Sequence, residues 1–173
     1  RQGLFSIPFK GLDENGIPLI ENENGEITST SINFQERDNT DFLIYEGPTD
    51  PTITGSFGNV FTYKGFRLNV FMTYSFGNVV RLNPVFNAVY SDLTAMTREY
   101  KNRWTTPGDE NITNIPTILP ARMYNENSDY KYAYNAYNYS DVRVAKGDFI
   151  RMKEISLSYD FPRKWIEPVS YTH

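Results

Sequence analysis

The sequence predicts an all-β fold in which antiparallel strands form part of a large transmembrane barrel, and three observations carry that reading. An alternating stretch of roughly ten residues runs through the middle of the chain, a two-residue link joins it to a similar stretch, and a far longer connection follows. From Phe66 to Gly77 the even positions are Phe66, Leu68, Val70, Met72, Tyr74 and Phe76; the odd ones are Arg67, Asn69, Phe71, Thr73, Ser75 and Gly77. Successive strand side chains point to opposite faces, so six apolar groups share one side and, Phe71 apart, a polar row shares the other. Those six are the predicted lipid-facing residues.

The run before it repeats the theme, with Ile53, Phe57, Phe61 and Tyr63 on one parity and Thr54, Ser56, Thr62 and Lys64 on the other. Only Lys64 and Gly65 separate the two runs, which forces an antiparallel hairpin with a tight primed turn. A third run, Phe149 to Phe161, sets Ile155, Leu157, Tyr159 and Phe161 against Glu154, Ser156, Ser158 and Asp160; Arg151 and Lys153 spoil the apolar parity of its first half. A soluble β-sandwich yields the same alternation. Two features favour a membrane. Aromatics gather near strand ends, at Tyr63 and Phe66, at Tyr74 and Phe76, and at Tyr159, Phe161 and Trp165, where the girdles of a membrane barrel lie. The segment from Asn78 to Asp148 reads as one long connection with little strand character, which compact soluble domains rarely carry. Short periplasmic turns and long extracellular loops are the rule in outer-membrane barrels, so Lys64 and Gly65 are expected to face the periplasm.

Composition narrows the classes further. With 173 residues, 13 Tyr and 12 Phe but only 22% charged residues, the chain needs a surface for its rings. The absence of cysteine leaves no disulfide framework and no thiolate zinc site. A net charge of -4 with no basic cluster argues against nucleic acid as a partner. No stretch approaches the roughly 20 apolar residues of a membrane helix, so a membrane role must come from strands. Starting at Arg1 without an apolar leader, the chain is expected to be a piece of a longer protein.

Outside the long runs, Asn15-Gly16 and Asn24-Gly25 predict turns flanked by short strands at Ile17 to Ile20 and Ile27 to Thr30, an outer-loop hairpin. The acidic residues Asp13, Glu14, Glu21, Glu23 and Glu26 do not match a calcium-loop spacing and read as a solvated turn. Asp92 could cap a short helix around 92–103 in which Leu93, Met96 and Tyr100 share a face, ended by Pro107 and Gly108. Tyr130, Tyr132, Tyr134, Tyr137 and Tyr139 crowd one loop; their rings could contact a sugar or a protein partner, or simply stiffen the loop.

Several stretches, taken in order, resemble the SusC/RagA family of TonB-linked outer-membrane proteins over nearly the whole chain. They are Phe9-Lys10-Gly11-Leu12-Asp13 with Gly16 and Pro18, Gly47-Pro48-Thr49-Asp50-Pro51, Gly55-Ser56-Phe57-Gly58-Asn59, Tyr63-Lys64-Gly65-Phe66 and Thr73-Tyr74-Ser75-Phe76-Gly77-Asn78. Asn102-Arg103-Trp104, Pro107-Gly108-Asp109-Glu110, Lys146-Gly147-Asp148-Phe149-Ile150-Arg151-Met152-Lys153 and Leu157-Ser158-Tyr159-Asp160-Phe161-Pro162 follow. The resemblance implies a plugged barrel of about 22 strands, of which this chain supplies about three or four. It also implies that the plug and the TonB-contacting segment lie upstream, that further strands follow Pro162, and that a SusD-like lipoprotein covers the outer loops. On this reading 1–167 is a C-terminal portion of the barrel, and 168–173, with the only histidine, His173, is a non-native tail.

The expected function is TonB-driven import of a nutrient oligomer, a glycan before a peptide, across the bacterial outer membrane. The alternative is a soluble β-sandwich binding or adhesin module. An enzyme is not expected: cysteine is absent, no trustworthy histidine is present, and Asp109 with Glu110 sits in a Pro- and Gly-rich turn. No catalytic residue, cofactor site or metal site is assigned.

Overall fold

The computed structural model describes residues 2–35, 38–85 and 96–166. In chain order the strands are β1 (Gly3–Ser6), β2 (Phe9–Leu12), β3 (Pro18–Glu21), β4 (Ile27–Thr28), β5 (Ile44–Pro48), β6 (Ile53–Tyr63), β7 (Phe66–Phe76), β8 (Val79–Arg81), β9 (Val144–Lys146) and β10 (Phe149–Tyr159). The helices are α1 (Ala121–Glu126), α2 (Tyr130–Asn138) and α3 (Arg163–Ile166), with three short 3-10 turns. The described residues fall into two units: those within 50–78 and 147–166 make one, and those within 2–49 and 79–146 make the other.

The first unit is a three-stranded antiparallel sheet in the order β10-β7-β6. Each strand has 11 residues. The β6–β7 register pairs Tyr63 with Phe66 across the predicted two-residue turn, where Lys64 and Gly65 both have positive φ, 47° and 85°. That pair of signs is the primed turn whose twist matches the flanking strands. Ile53, Phe76 and Phe149 lie together at the opposite end, so the chain enters and leaves the sheet on that side.

The second unit holds the buried apolar core. Among the described residues Leu12, Ile17, Ile20, Val85, Tyr100, Ala133, Tyr134, Ala136 and Tyr137 are buried core side chains, and all belong to it. A meander β2-β3-β4, the pairs β1-β5 and β8-β9, and helix α2 packed on β3 make it up. The two hairpin turns of the meander share one construction: Asp13 Oδ1 accepts from the N–H groups of Asn15 and Ile17, and Asn22 Oδ1 from those of Asn24 and Glu26. Gly16 and Gly25 take φ of 75° and 77° to close them.

Two sequence expectations are corrected here. The stretch from Asn78 to Asp148 is not a plain connection: β8 and β9 pair antiparallel within it, and it carries α1 and α2. Three-residue strands are too short for alternation to reveal, and the run of tyrosines and asparagines has weak helix propensity. The loop of tyrosines is therefore a helix, formed because Ala133, Tyr134, Ala136 and Tyr137 place one face in the core. The first fifty residues likewise hold three more strands than the one hairpin expected, β1, β2 and β5.

Candidate barrel wall and outer aromatic sites

Residues directly opposite in an antiparallel pair project to the same face. The registers therefore put Phe66, Leu68, Val70, Met72, Tyr74 and Phe76 on one side with Tyr63, Phe61, Phe57 and Ile53 of β6. On β10 the same side receives Ile150, Met152, Ile155, Leu157 and Tyr159, although these residues change parity halfway along. A bulge explains it: the pairing passes from Met152↔Met72 to Glu154↔Phe71, so Lys153 is the extra residue. An inserted residue reverses the side on which later residues fall. The predicted weak half of this strand is thus a second apolar run, offset by one, and Arg151 belongs to the polar face. The strand ends at Tyr159, leaving Phe161 beyond it.

The opposite face carries Thr54, Ser56 and Thr62, then Ser75, Thr73, Asn69 and Arg67, then Arg151, Glu154, Ser156 and Ser158. Asn69 donates to Glu154 at 2.7 Å across it. Phe71, apolar on this face as are Val60 and Phe149, lies over Gly58, where an added Cβ would meet its ring at 3.0 Å. On the apolar face Tyr74 covers Gly55 in the same way, and Asn59, opposite Val70, is the single amide in the row. None of this apolar face is buried: Leu157 is 68% exposed, Ile155 63% and Phe61 55%. Aromatic groups close both ends. Phe66 and Tyr159 have ring centroids 4.5 Å apart, Tyr159 and Phe161 5.1 Å, and Phe161 and Trp165 6.3 Å, beside the tight turn; Tyr74 and Phe76 stack at 5.7 Å at the other end.

In the other unit the five tyrosines separate by role. Tyr134 is fully buried and donates from Oη to the Thr117 carbonyl at 2.9 Å. Tyr137 is buried edge-on to Phe9 at 5.4 Å, and burial raises its phenol from 10.0 to about 12. These two pack the core, so solvent-side contact with a ligand is restricted to the others. Tyr130 is half-buried, while Tyr132 and Tyr139 are exposed, Tyr132 beside Phe34 and Tyr139 beneath the Arg81 guanidinium.

Two polar anchors were not legible as such in the sequence. Arg143, buried, holds Glu99 through both carboxylate oxygens at 2.7 and 3.0 Å and the Asn83 carbonyl at 2.7 Å. Burial opposes its charge, yet the Glu99 contacts outweigh that and raise its pKa; the same bond lowers that of Glu99. The second anchor joins three of the quoted stretches. Trp104 lies on Gly16, where a Cβ would come within 2.5 Å of the indole, and donates from Nε1 to Glu110 at 3.0 Å. Glu110 also accepts from the Gly108 N–H, and Asp109 from those of Thr105 and Thr106, which holds both carboxyls below their ordinary pKa. Asp109 and Glu110 are turn-capping groups.

Within the described part of the helix expected around 92–103 there is a 3-10 turn over Arg98–Asn102, with Tyr100 buried and Met96 exposed; Asp92 and Leu93 lie outside the described residues. So does the tail 168–173 with His173. Asp13 is committed to its turn and Glu21 to Lys10 at 2.7 Å, and among the described residues no group of three metal-ligating side chains is assembled.

Long antiparallel strands with one uncovered apolar face, one polar face and aromatic ends define a piece of an all-β wall of the outer-membrane barrel type. No protein-family model matches the chain. It is similar to TonB-dependent receptor P39 of Formosa agariphila, 29% identical over 175 residues that cover 92% of this chain and 15% of that receptor. It also superposes on a chain of the RagAB peptide importer in its open-open state, with a TM-score of 0.55 and 17% identity, over 94% of this chain and 16% of that one. The chain thus spans under a fifth of either protein's length. The sequence likeness fits a SusC/RagA-like segment of a TonB-dependent receptor, a class of bacterial outer-membrane proteins, and the structural likeness shows the fold of such a segment.

Proposed function

We propose that the protein imports nutrient oligomers across the outer membrane through a plugged, TonB-driven barrel, with a SusD-like lipoprotein over its outer loops, and that this chain supplies three wall strands and a folded outer unit. The observation that carries the reading is the wall itself. Eleven residues at about 3.3 Å each, tilted by about 40–45°, rise roughly 26–28 Å, enough to cross the apolar band of about 25 Å in such barrels. The face carrying Phe66, Leu68, Val70, Met72, Tyr74 and Phe76 then meets lipid, the face with Thr73, Asn69 and Arg67 lines the lumen, and Lys64-Gly65 turns in the periplasm.

Exposed tyrosines in the outer unit favour a glycan as substrate; the RagAB neighbour is a peptide importer, which supports the second reading, an oligopeptide. Residues 1–167 belong to the barrel on this account. The test is uptake of labelled oligosaccharides and oligopeptides by cells carrying the full-length protein, with and without TonB. The account expects uptake that disappears without TonB; uptake indifferent to TonB contradicts it.

A further inference from the structure

An open groove in the outer unit, about 470 Å³, lies between the Asn22–Glu26 turn, the segment Thr30–Asn33 and the start of α2. That volume is within the range of small-ligand sites. Tyr132 forms part of its wall, and Phe34 approaches Tyr132 to 6.2 Å between centroids at 51°, so two exposed rings stand together at its margin. The groove's shape is held by Asn22, whose amide is fully engaged: its Oδ1 accepts the Asn24 and Glu26 N–H groups and its Nδ2 donates to Glu26 and to the Ser31 carbonyl. The groups around it are not engaged. The side chains of Glu23, Asn24 and Asp129 have no hydrogen-bond partner among the described residues, and Asn33 uses only its Oδ1, toward Gln35.

We propose that this groove is a subsite for one unit of a neutral oligosaccharide, stacked on Tyr132 and Phe34 and hydrogen-bonded by Glu23, Asn24, Asn33 and Asp129. Ionised carboxylates accept only, so they suit the many O–H donors of a sugar, while the Asn amides supply the donors its ring and hydroxyl oxygens need. The flat faces of the two rings suit its C–H face. An anionic ligand would meet Glu23, Glu26 and Asp129. A metal ion lacks a ligand cluster among the described residues.

The subsite deepens the import reading and rests on it. The intact transporter is tested on an array of neutral oligosaccharides and, in parallel, on a library of short peptides. Wild type is expected to bind a neutral glycan, Tyr132→Ala and Phe34→Ala to weaken that binding about tenfold or more, and Tyr132→Phe to stay within about threefold. Heat-modifiable migration shows that each variant is folded. Glycan binding that both alanine variants leave unchanged overturns the subsite and leaves import standing. Binding of peptides and of no glycan overturns the subsite together with the glycan reading.

Discussion

Replacing Val70 with Arg tests the wall through its depth dependence. Val70 stands one residue from the midpoint of β7, opposite Asn59 on one side and Ile155 on the other, on the uncovered apolar face. An Arg at the bilayer midplane of such a barrel costs about 2–4 kcal/mol, which lowers the folded-to-unfolded ratio roughly thirty- to a thousandfold. Near an interface the cost falls to about 0–1 kcal/mol, so Phe66→Arg, at the tight-turn end of the same strand, should be mild. Thr73→Arg, on the polar face, should stay within about 0.5 kcal/mol. The assay is urea unfolding of the full-length barrel in phospholipid vesicles, followed by heat-modifiable gel migration. Equal costs for Val70→Arg and Phe66→Arg, or no cost at Val70, would refute the reasoning, because only a hydrocarbon slab grades the penalty along one strand.

Deleting Lys153 removes the bulge and leaves Met152 opposite Met72 and Glu154 opposite Phe71, so Ile150 and Met152 stay on the apolar face and Arg151 on the polar one; folded barrel yield should stay close to wild type, and a fall as deep as with Val70→Arg would mean that Lys153 is not the extra residue. Asn59→Leu should raise barrel stability by about 0.5–2 kcal/mol in the same urea assay, since it removes the one amide from the apolar row. Gly16→Ala forces a Cβ against Trp104 at positive φ and should cost the outer unit about 2–4 kcal/mol, seen as faster proteolysis there. Glu99 has its pKa lowered by Arg143, so its contribution is present above the ordinary carboxylate range and lost as pH falls through the lowered value; Glu99→Gln should flatten that acid limb. Tyr137 is raised to about 12, so its contribution holds below 10.0 and is lost as pH rises through about 12, a limb that Tyr137→Phe should remove in hydrogen exchange.

What the sequence made legible follows from period and length. The runs in β6 and β7 persist for 11 residues, and the Lys64-Gly65 link fixes their register, so both strands and their faces could be read directly. β10 was readable only in its second half, because one inserted residue at Lys153 turns a continuous apolar row into an apparent failure of alternation. Its partner strand supplies the missing information: Ile150 and Met152 make sense once they stand beside Tyr74 and Met72. In the outer unit, strands of two to five residues carry too little pattern, and α2 forms from residues of weak propensity because the core accepts its face. A signal was present all the same: Tyr130, Tyr134 and Tyr137 are spaced by four and three, a helical face. Arg143 with Glu99, and Trp104 with Gly16, join positions far apart in the chain, and single-sequence spacing holds no trace of such pairs.

The central claim is that one side of the β6-β7-β10 sheet contacts hydrocarbon. It is tested most directly by attaching a fluorophore singly at Leu68, Val70, Ile155, Asn69, Thr73 and Ser156 of the full-length protein in vesicles containing brominated lipid. Labels at Leu68, Val70 and Ile155 should be quenched by the lipid, and those at Asn69, Thr73 and Ser156 should not. Quenching without regard to side, or at none of the six, would contradict the account.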